Sequence, residues 1–260
     1  MRLGILVLAY NAEKTIGSVL ARIPLETYEK AHGVYVFDDA SRDETQHVAE
    51  NFLKSHTFGE KIHVFKHAQN LGYGGNQKHA YHFAEKNGLD VVVMLHGDGQ
   101  YTPELLPHIY EPILEGDADL VFGSRIMGNP LDGGMPVHKY LGNRTLTTIQ
   151  NVLVGTHFSE FHSGYRAFRT ACFLGIPLDA CTDGFHFDTQ ILILFHDRKF
   201  RIKEIPIPTF YGDEISRVRI FSYGMNVLTE AARYRLKKIG GKNRTYLSPL
   251  QSNQTGTADE

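Results

Sequence analysis

The first 125 residues alternate between short apolar runs and segments with helical spacing. Continuous apolar runs of this length are typical of strands buried on both faces of a sheet. Five such runs cover Arg2–Ala9, Val34–Phe37, Ile62–Phe65, Val91–Leu95 and Leu120–Gly123. Helices are predicted between them at Glu13–Ile23, Asp43–Lys54, Asn76–Asn87 and Pro103–Glu115. This alternation predicts an α/β fold, a three-layer sandwich in which helices cover a mostly parallel central sheet.

The pattern becomes less regular after residue 125. Gly, Pro and Asn predict a loop at Ile126–Met135, and Pro206 and Pro208 limit Arg201–Ile207 to an edge strand. Helices are predicted at Tyr140–Leu153, Phe185–His196 and Ser222–Lys238. In the last helix the apolar stripe of Phe221, Met225, Leu228 and Ala232 is expected to pack on the domain, and the basic end to attract an anionic surface.

Composition and charge exclude several classes of protein. Apolar residues make up 42% of the chain and charged residues 22%, as in a folded soluble protein. The 27 basic and 29 acidic residues give a net charge of −2, which argues against a nucleic-acid partner. Two cysteines favour a reducing compartment. We find no signal peptide and no apolar run near the ~20 residues of a spanning helix, so we expect a cytoplasmic protein that can contact the membrane peripherally.

Three predicted strand ends carry reactive side chains. Parallel strands place their carboxyl ends at one edge of the sheet, where ligands bind. The segments are Ala9–Glu13, Asp38–Asp43 and His96–Gln100. Their convergence predicts a single site.

The third segment suggests a metal. His96, Asp98 and Gln100 alternate, so an extended chain would point all three to one side. Their imidazole, carboxylate and amide groups can bind Mg²⁺ or Mn²⁺. A turn or helix cap at Asp98 is the alternative.

Tandem acids and a glycine-rich loop suggest nucleotide binding. One of Asp38 and Asp39 is expected to bind a nucleobase or ribose and the other to support the loop, while Ser41 and Glu44 form a capping box. The loop Asn70–Asn76 precedes a helix and suits an anion, although an ordinary tight turn is equally consistent. It matches neither the phosphate-loop nor the dinucleotide pattern.

Together these segments resemble the inverting family 2 glycosyltransferases of glycosyltransferase A fold, particularly the dolichyl-phosphate mannose synthase branch. Their order and spacing extend over nearly the first 170 residues. The matching segments are Val7–Glu13, Val36–Thr45, Asn70–Gly74, Met94–Pro103, Leu120–Arg125 and Ser163–Phe168.

The resemblance implies a nucleoside-diphosphate-sugar donor and a divalent metal. Donor contacts carry over to Ala9, Tyr10, Glu13, Asp38, Asp39, Gly72, Asp98 and Arg217. The family's Asp-x-Asp metal motif corresponds to His96-Gly97-Asp98, so its first Asp is His96 here.

On the acceptor side, the resemblance implies phosphate contacts for Arg125. The segment that carries Arg217 and Arg219 is similar to the mobile C-terminal loop that closes over the donor in this branch, and a solvated charged loop is the alternative. Arg125 could instead pair with an acid, and Arg166 is expected to hold either its loop or the acceptor. Asp188 is the candidate catalytic base, with Asp183 as the fallback, and a helix first-turn carboxylate is the alternative for Asp188.

We therefore predict one glycosyltransferase domain over residues 1–245. Residues 1–125 form a Rossmann-like nucleotide-sugar-binding half, residues 126–245 form the acceptor half and the C-terminal helix, and 246–260 form a disordered tail. The predicted reaction is metal-dependent, inverting transfer of a hexose from a UDP- or GDP-linked donor to a polyprenyl phosphate or a glycan hydroxyl in envelope polysaccharide or glycoconjugate synthesis. The absence of a membrane-spanning segment in this sequence weakens the lipid acceptor. A homodimer is left open.

Two other functions are left open. A sugar-phosphate nucleotidyltransferase should carry a glycine-rich loop with an Arg after its first strand, where this chain has Tyr10–Glu13. A non-catalytic nucleotide-sugar-binding module is suggested by His96.

Overall fold

A mostly parallel sheet of seven strands forms the centre of the protein. The computed structural model describes residues 1–209, 220–240 and 246–247. Within these residues the strand order is β3-β2-β1-β4-β6-β5-β7, and β6 alone is antiparallel to its neighbours. The strands are β1 Leu3–Ala9, β2 Gly33–Asp38, β3 Ile62–Lys66, β4 Val91–His96, β5 Leu120–Ser124, β6 Arg166–Arg169 and β7 Ile202–Pro206. The predicted α/β architecture is confirmed, and β7 is the predicted edge strand.

Eight helices of the described residues cover the two faces of the sheet. They are α1 Ile16–Ala21, α2 Leu25–Lys30, α3 Thr45–Ser55, α4 Tyr73–Lys86, α5 Leu106–Leu114, α6 Val137–Val154, α7 Phe187–Asp197 and α8 Ile220–Ile239. None of these helices is long and apolar enough to cross a bilayer. The prediction missed α2, and it placed the start of α4 too late because the glycines Gly74 and Gly75 lie inside the first turn of that helix.

Alternate residues of the central strands enter two separate cores. Leu6 on β1 faces the core built with α4, α7 and α8, while Ile5 and Val7 face the core built with α1, α2, α3 and α5. Both side-chain sets are therefore buried, which explains the continuous apolar runs.

The sequence analysis missed β6, although this strand lies between β4 and β5. The strand has only four residues, and Arg166 and Arg169 bound it. Ala167 and Phe168 supply the apolar contacts, whereas Arg166 is buried through hydrogen bonds to carbonyl oxygens. Hydrophobicity alone gives no strand signal in such a segment.

The predicted packing face of α8 is wrong for Phe221 and Met225, whereas Leu228 and Ala232 are half-buried. Val227, Ala231 and Tyr234 are buried, whereas Phe221 and Met225 are 84% and 53% exposed. The helix is rotated because the side containing Gly224 and Val227 meets α6 and the core.

The domain extends past residue 245. Tyr246 is buried against the ring of Tyr234 and donates a 2.6 Å hydrogen bond to Glu230. The predicted start of the tail is therefore wrong at Tyr246. Arg217 and Arg219 lie outside the described residues, as does 248–260.

Candidate active site

The three segments that follow β1, β2 and β4 leave the sheet side by side, as predicted. In the β2-β1-β4 part of the sheet, Ala9 is in register with Asp38, and Leu8 is in register with His96. The backbone N–H of Asp39 donates to the carbonyl of Ala9 over 2.9 Å. The carboxyl ends of these parallel strands therefore form one continuous edge.

The segments after β1 and β2 are fastened to each other. Asn11 adopts a φ of 49°, its N–H donates to Ser41 Oγ over 2.8 Å, and its Oδ1 accepts from the N–H of Arg42 over 2.9 Å. Glu13 Oε2 accepts from the N–H of Glu44 over 3.1 Å. These contacts assign Asn11 and Glu13 a role in shaping the edge, with the side chain of Tyr10 exposed beside them.

The predicted capping box is wrong. Helix α3 begins at Thr45, and Ser41 binds the N–H of Asn11 instead of an N–H of the helix. Asp43 Oδ1 accepts from the N–H of Thr45 over 3.1 Å and so satisfies one backbone donor of the first turn.

Asp38 and Asp39 are both buried, and both accept hydrogen bonds from backbone N–H groups. Asp39 accepts from the N–H groups of Leu71 and Gly72 over 2.7 and 3.1 Å, and burial raises the pKa of its carboxyl. Asp38 accepts from the N–H of Ser41 over 2.9 Å. Its Oδ2 is buried without a hydrogen-bond partner in the described structure and lies 3.8 Å from Lys66 Nζ. Both acids support loops, and ligand binding by either one stays a prediction.

Close packing explains the glycines of the 70–76 loop. Gly72 has a φ of 79°, and a Cβ there would lie 2.8 Å from the carbonyl oxygen of Asp183. A Cβ on Gly74 would overlap the carbonyl oxygen of Thr182. The start of α4 therefore packs directly on the segment before α7, with Lys78 2.8 Å from the Asp183 carboxylate.

The predicted alternation at the end of β4 is wrong. The chain turns at Gly97 and Asp98 immediately after the strand, and Gly99 has a φ of 79°. Asp98 is exposed, and its Oδ1 accepts from the N–H of Gln100 over 3.0 Å, which is the turn that had been the alternative. Hence His96, Asp98 and Gln100 do not project from one extended strand.

His96 lies in an aromatic pocket. Its ring is 5.5 Å from that of Tyr73 and 5.3 Å from that of Tyr101, and its buried Nε2 has no hydrogen-bond partner among the described residues. No three His, Cys, Asp or Glu side chains of residues 1–209, 220–240 and 246–247 converge as a metal cluster. A cation at this edge would be bound by Asp98 and by oxygen atoms of the bound substrate. Metal binding by His96, Asp98 and Gln100 together stays a prediction.

Asp188 lies in the first turn of α7 within a network that the sequence did not indicate. It is 4% exposed, and its carboxylate accepts from the Tyr73 hydroxyl over 2.6 Å and from Gln77 Nε2 over 3.3 Å. Arg166 Nη1 lies 3.8 Å from Oδ1 and donates to the carbonyl of Asp188 over 2.7 Å. Arg166 also donates to the carbonyl of Ser163 over 2.8 Å, so it holds its own loop against α7.

Arg125 is held by a buried acid. Its N–H donates to Glu160 Oε2 over 2.8 Å, its guanidinium pairs with Oε1, and Asn143 donates to Oε1 over 2.9 Å. Burial alone would raise the pKa of Glu160, but the charge and hydrogen bonds of Arg125 hold it below its ordinary value. Arg125 therefore has the acid partner that was the alternative, and its contact with a phosphate stays a prediction. No sequence spacing marks Glu160 as the partner of Arg125, because tertiary packing brings the two residues together.

Comparison with known proteins agrees with this geometry. Residues 4–174 match the glycosyl transferase family 2 domain. The UDP-N-acetylglucosamine–dolichyl-phosphate N-acetylglucosaminyltransferase of Methanococcus voltae is 28% identical over 80% of this chain and 86% of its own length. The undecaprenyl-phosphate mannosyltransferase of Micrococcus luteus is 27% identical over 85% and 88%.

A solved structure extends the agreement to the fold. Glucosyl-3-phosphoglycerate synthase from Mycobacterium tuberculosis, in complex with Mn²⁺, UDP-glucose and phosphoglyceric acid, superposes with a TM-score of 0.65 at 18% identity. The alignment covers 93% of this chain and 81% of that one. The chain belongs to glycosyl transferase family 2, and it is a glycosyltransferase with the glycosyltransferase A fold.

Proposed function

We propose that the protein transfers a hexose from a nucleoside-diphosphate sugar to a polyprenyl phosphate, with inversion at the anomeric carbon and with a divalent cation. The family assignment and the convergence of three strand ends support the transfer reaction. The Methanococcus voltae and Micrococcus luteus relatives are named for dolichyl phosphate and undecaprenyl phosphate, which supports the lipid acceptor.

The donor would lie across the edge formed by β2, β1 and β4. Tyr10, Asp38 and Asp39 would contact the nucleoside, and Asp98 would hold Mg²⁺ or Mn²⁺ against the diphosphate. The cation would neutralise the negative charge that develops on the leaving diphosphate. The structural relative was solved with Mn²⁺ and UDP-glucose, so a UDP-linked donor is the first to test.

The environment of Asp188 favours a phosphate acceptor. A hydroxyl acceptor needs a base that can receive its proton, and the base must reach the substrate. Asp188 is buried, and Tyr73 and Gln77 already donate to its two oxygens. An anionic phosphate oxygen can attack the anomeric carbon without losing a proton. The new C–O bond then forms as the bond to the nucleoside diphosphate breaks, and the diphosphate leaves with the electron pair.

Arg125 would meet the acceptor phosphate. Its guanidinium lies at the end of β5, is partly exposed and is oriented by Glu160. A fixed planar fork of donors suits phosphate oxygens. For a glycan hydroxyl acceptor, Asp188 would first have to become accessible to the substrate.

The test is a transfer assay with UDP- and GDP-linked hexoses and either a short-chain polyprenyl phosphate or a free glycan. We expect the hexose to be attached to the polyprenyl phosphate, with release of one nucleoside diphosphate for each sugar transferred. Product on the glycan alone would contradict the acceptor. If a nucleoside diphosphate raises the melting temperature of the protein but no sugar is transferred to any acceptor, the protein is a nucleotide-sugar-binding module.

A further inference from the structure

Five aromatic rings form a continuous row that runs from the core of the domain to the carboxyl edge of the sheet. The ring centroids are 5.0 Å apart for Phe185 and Tyr73, 5.5 Å for Tyr73 and His96, 5.3 Å for His96 and Tyr101, and 5.3 Å for Tyr101 and Tyr165. We call these five residues the aromatic row. Tyr101 and Tyr165 are buried, whereas Phe185 is 39% exposed. The row therefore ends in a ring that a ligand can reach.

The exposed ring of Phe185 lies beside the proposed donor site. Phe185 follows Asp183, whose carbonyl accepts from the N–H of Gly74 over 2.7 Å, so this segment packs on the start of α4. The ring contacts that of Tyr73 in the first turn of α4, and Tyr73 contacts His96 at the end of β4. The segment before α7 thus adds an aromatic side chain to the carboxyl edge.

The aromatic row passes between the proposed positions of the two phosphate groups. His96 is two residues before Asp98, which is proposed to hold the cation against the diphosphate. The hydroxyl oxygen of Tyr101 accepts from the N–H of Gly164 over 2.8 Å, and Gly164 follows directly on the segment that binds Arg125. The hexose must lie between its own diphosphate and the acceptor phosphate, and it is therefore expected next to this row.

Hydrogen bonds within the protein fix the orientation of the row. The hydroxyl of Tyr73 donates to Asp188 over 2.6 Å, and the hydroxyl of Tyr165 donates to the carbonyl of Thr102 over 3.0 Å. Phe185 has no polar group, so the exposed end of the row offers a ligand only an aromatic face. A ring that packing already holds in place loses little conformational freedom when a ligand binds.

A pyranose ring fits the exposed face of Phe185. The face of an aromatic ring is negative, and it attracts the weakly positive C–H groups that point out of the plane of a sugar ring. The hydroxyl groups of a hexose extend from its perimeter and remain available for hydrogen bonds. A nucleobase could also stack on an aromatic ring, but the nucleoside is proposed to lie at Tyr10, Asp38 and Asp39, after β1 and β2.

We propose that Phe185 binds the hexose of the donor by stacking on one face of its pyranose ring. The inference rests on the proposed function, which places the diphosphate at Asp98 and the acceptor phosphate at Arg125. Stacking fixes the plane of the sugar and so orients the anomeric carbon toward the acceptor. Only a nucleotide that carries a hexose gains binding energy from this contact.

Isothermal titration calorimetry of the full chain with Mg²⁺ tests the contact, because a free nucleoside diphosphate has no hexose. UDP is compared with UDP-glucose, and GDP with GDP-mannose. Phe185→Leu should weaken binding of the nucleotide sugar about threefold to tenfold and leave binding of the matching nucleoside diphosphate unchanged. Phe185→Tyr keeps an aromatic face and should retain the wild-type ratio of the two dissociation constants.

Phe65→Leu is the matched control, because Phe65 is 38% exposed and also stacks on a neighbouring ring, that of Phe37, at 5.4 Å. This variant should leave both dissociation constants unchanged. An equal loss of affinity of Phe185→Leu for the nucleoside diphosphate and for the nucleotide sugar would assign Phe185 to the nucleoside or to the shape of the edge, and it would overturn the proposal. Unchanged affinity for both ligands would overturn it as well.

Saturation-transfer difference NMR with Mg²⁺ gives a second readout. Saturation of the aromatic protons of the protein should reach the hexose protons of one face of the sugar. Phe185→Leu should remove most of that transfer, while the signals of the base and ribose persist. Equal saturation of the hexose in the wild type and in Phe185→Leu would contradict stacking.

The transfer assay separates this proposal from the proposed function. If the hexose is transferred to a polyprenyl phosphate but Phe185→Leu leaves the ratio of dissociation constants unchanged, the stacking contact alone is refuted. If the ratio changes as expected but no polyprenyl phosphate accepts the hexose, the proposed acceptor alone is refuted.

Discussion

The hydroxyl of Tyr73 donates a 2.6 Å hydrogen bond to Oδ2 of Asp188, which is 115 residues away in the sequence. This bond joins the first turn of α4 to the first turn of α7. Burial, followed by the nearby charge of Asp188, raises the pKa of Tyr73 well above its usual value. Tyr73 therefore stays a neutral donor, and it supports the edge where the donor sugar is proposed to bind.

Tyr73→Phe should lower the free energy of unfolding by about 1–3 kcal/mol, because a buried carboxylate oxygen loses its donor. The control is Tyr165→Phe, which removes a neutral bond of 3.0 Å to the carbonyl of Thr102. Urea unfolding of the two variants measures the difference. A smaller loss for Tyr73→Phe than for Tyr165→Phe would show that the bond to the Asp188 carboxylate adds less stability than a neutral hydrogen bond and would contradict the prediction.

Asp98→Ala should reduce turnover about 10²–10³-fold if Asp98 holds the cation. The side chain is exposed, so the free energy of unfolding should change by no more than about 1 kcal/mol. Asp117→Ala removes an exposed acid elsewhere and should leave turnover unchanged. Full wild-type activity in excess chelator would exclude the metal-dependent mechanism.

His96→Asp should flatten the acid side of the pH–rate profile if His96 ligates the cation. A neutral imidazole can bind a metal and a protonated one cannot, whereas an Asp stays ionised over most of that range. Rates measured between about pH 5 and pH 8, the range in which His ordinarily changes charge, test this. An unchanged profile would limit His96 to packing between Tyr73 and Tyr101.

Gly164→Ala should destabilise the protein by about 1–3 kcal/mol through overpacking. A Cβ there would lie 2.5 Å from the Tyr73 hydroxyl oxygen and 2.8 Å from Nε2 of His96. Gly142→Ala is the matched control, because no atom lies within 4 Å of its added Cβ and the site is inside α6. Ala favours helix over Gly, so this control should stabilise by about 0.5–1 kcal/mol. Thermal unfolding shifts in opposite directions are the expected result.

The protein should lose stability in mild acid through His162. Burial lowers the pKa of His162 to about 4. The unfolded chain takes up this proton near pH ~6.5, whereas the folded chain does not. The unfolded state is therefore stabilised relative to the folded state as the pH falls from ~6.5 to ~4. The loss should be about 1–3 kcal/mol by pH ~4.

His162→Asn keeps a polar partner for Tyr223 and should reduce the slope of unfolding free energy against pH. His108→Gln, at an exposed position, should leave the slope unchanged. Burial also lowers the pKa of His79, His186 and His196, so the comparison of slopes between variants, and not the wild-type slope, is decisive. Equal slopes for the wild type and His162→Asn would contradict the prediction.

The sequence predicted the parts of the fold that depend on repeated local patterns. The runs at Leu3–Ala9 and Val91–His96 are buried on both faces, and that burial appears directly as continuous hydrophobicity. Strand β6 gives no such signal, because hydrogen bonds to carbonyl oxygens compensate the burial of Arg166.

The candidate site was likewise predicted in part. The carboxyl-edge position of Tyr10, Asp39 and Asp98 follows from the parallel direction of β1, β2 and β4, which the alternation of elements predicts. The partners of Asp188 and Arg125 do not, since Tyr73 and Glu160 reach them through tertiary packing that leaves no fixed sequence spacing. The exposed face of α8 was mispredicted for a related reason. Helical spacing marks an apolar side without showing whether the domain or another surface covers it.

The antiparallel strand β6 also constrains how the chain is assembled. Strand β5 pairs with β6 and β7 and not with β4, so it cannot join the sheet until residue 166 and its neighbours have been synthesised. Residues 1–125 therefore cannot complete their part of the sheet before the chain that follows them has been synthesised. Completion of the sheet must wait for chain that is made later, and the apolar β5 remains open to incorrect pairing in the interval.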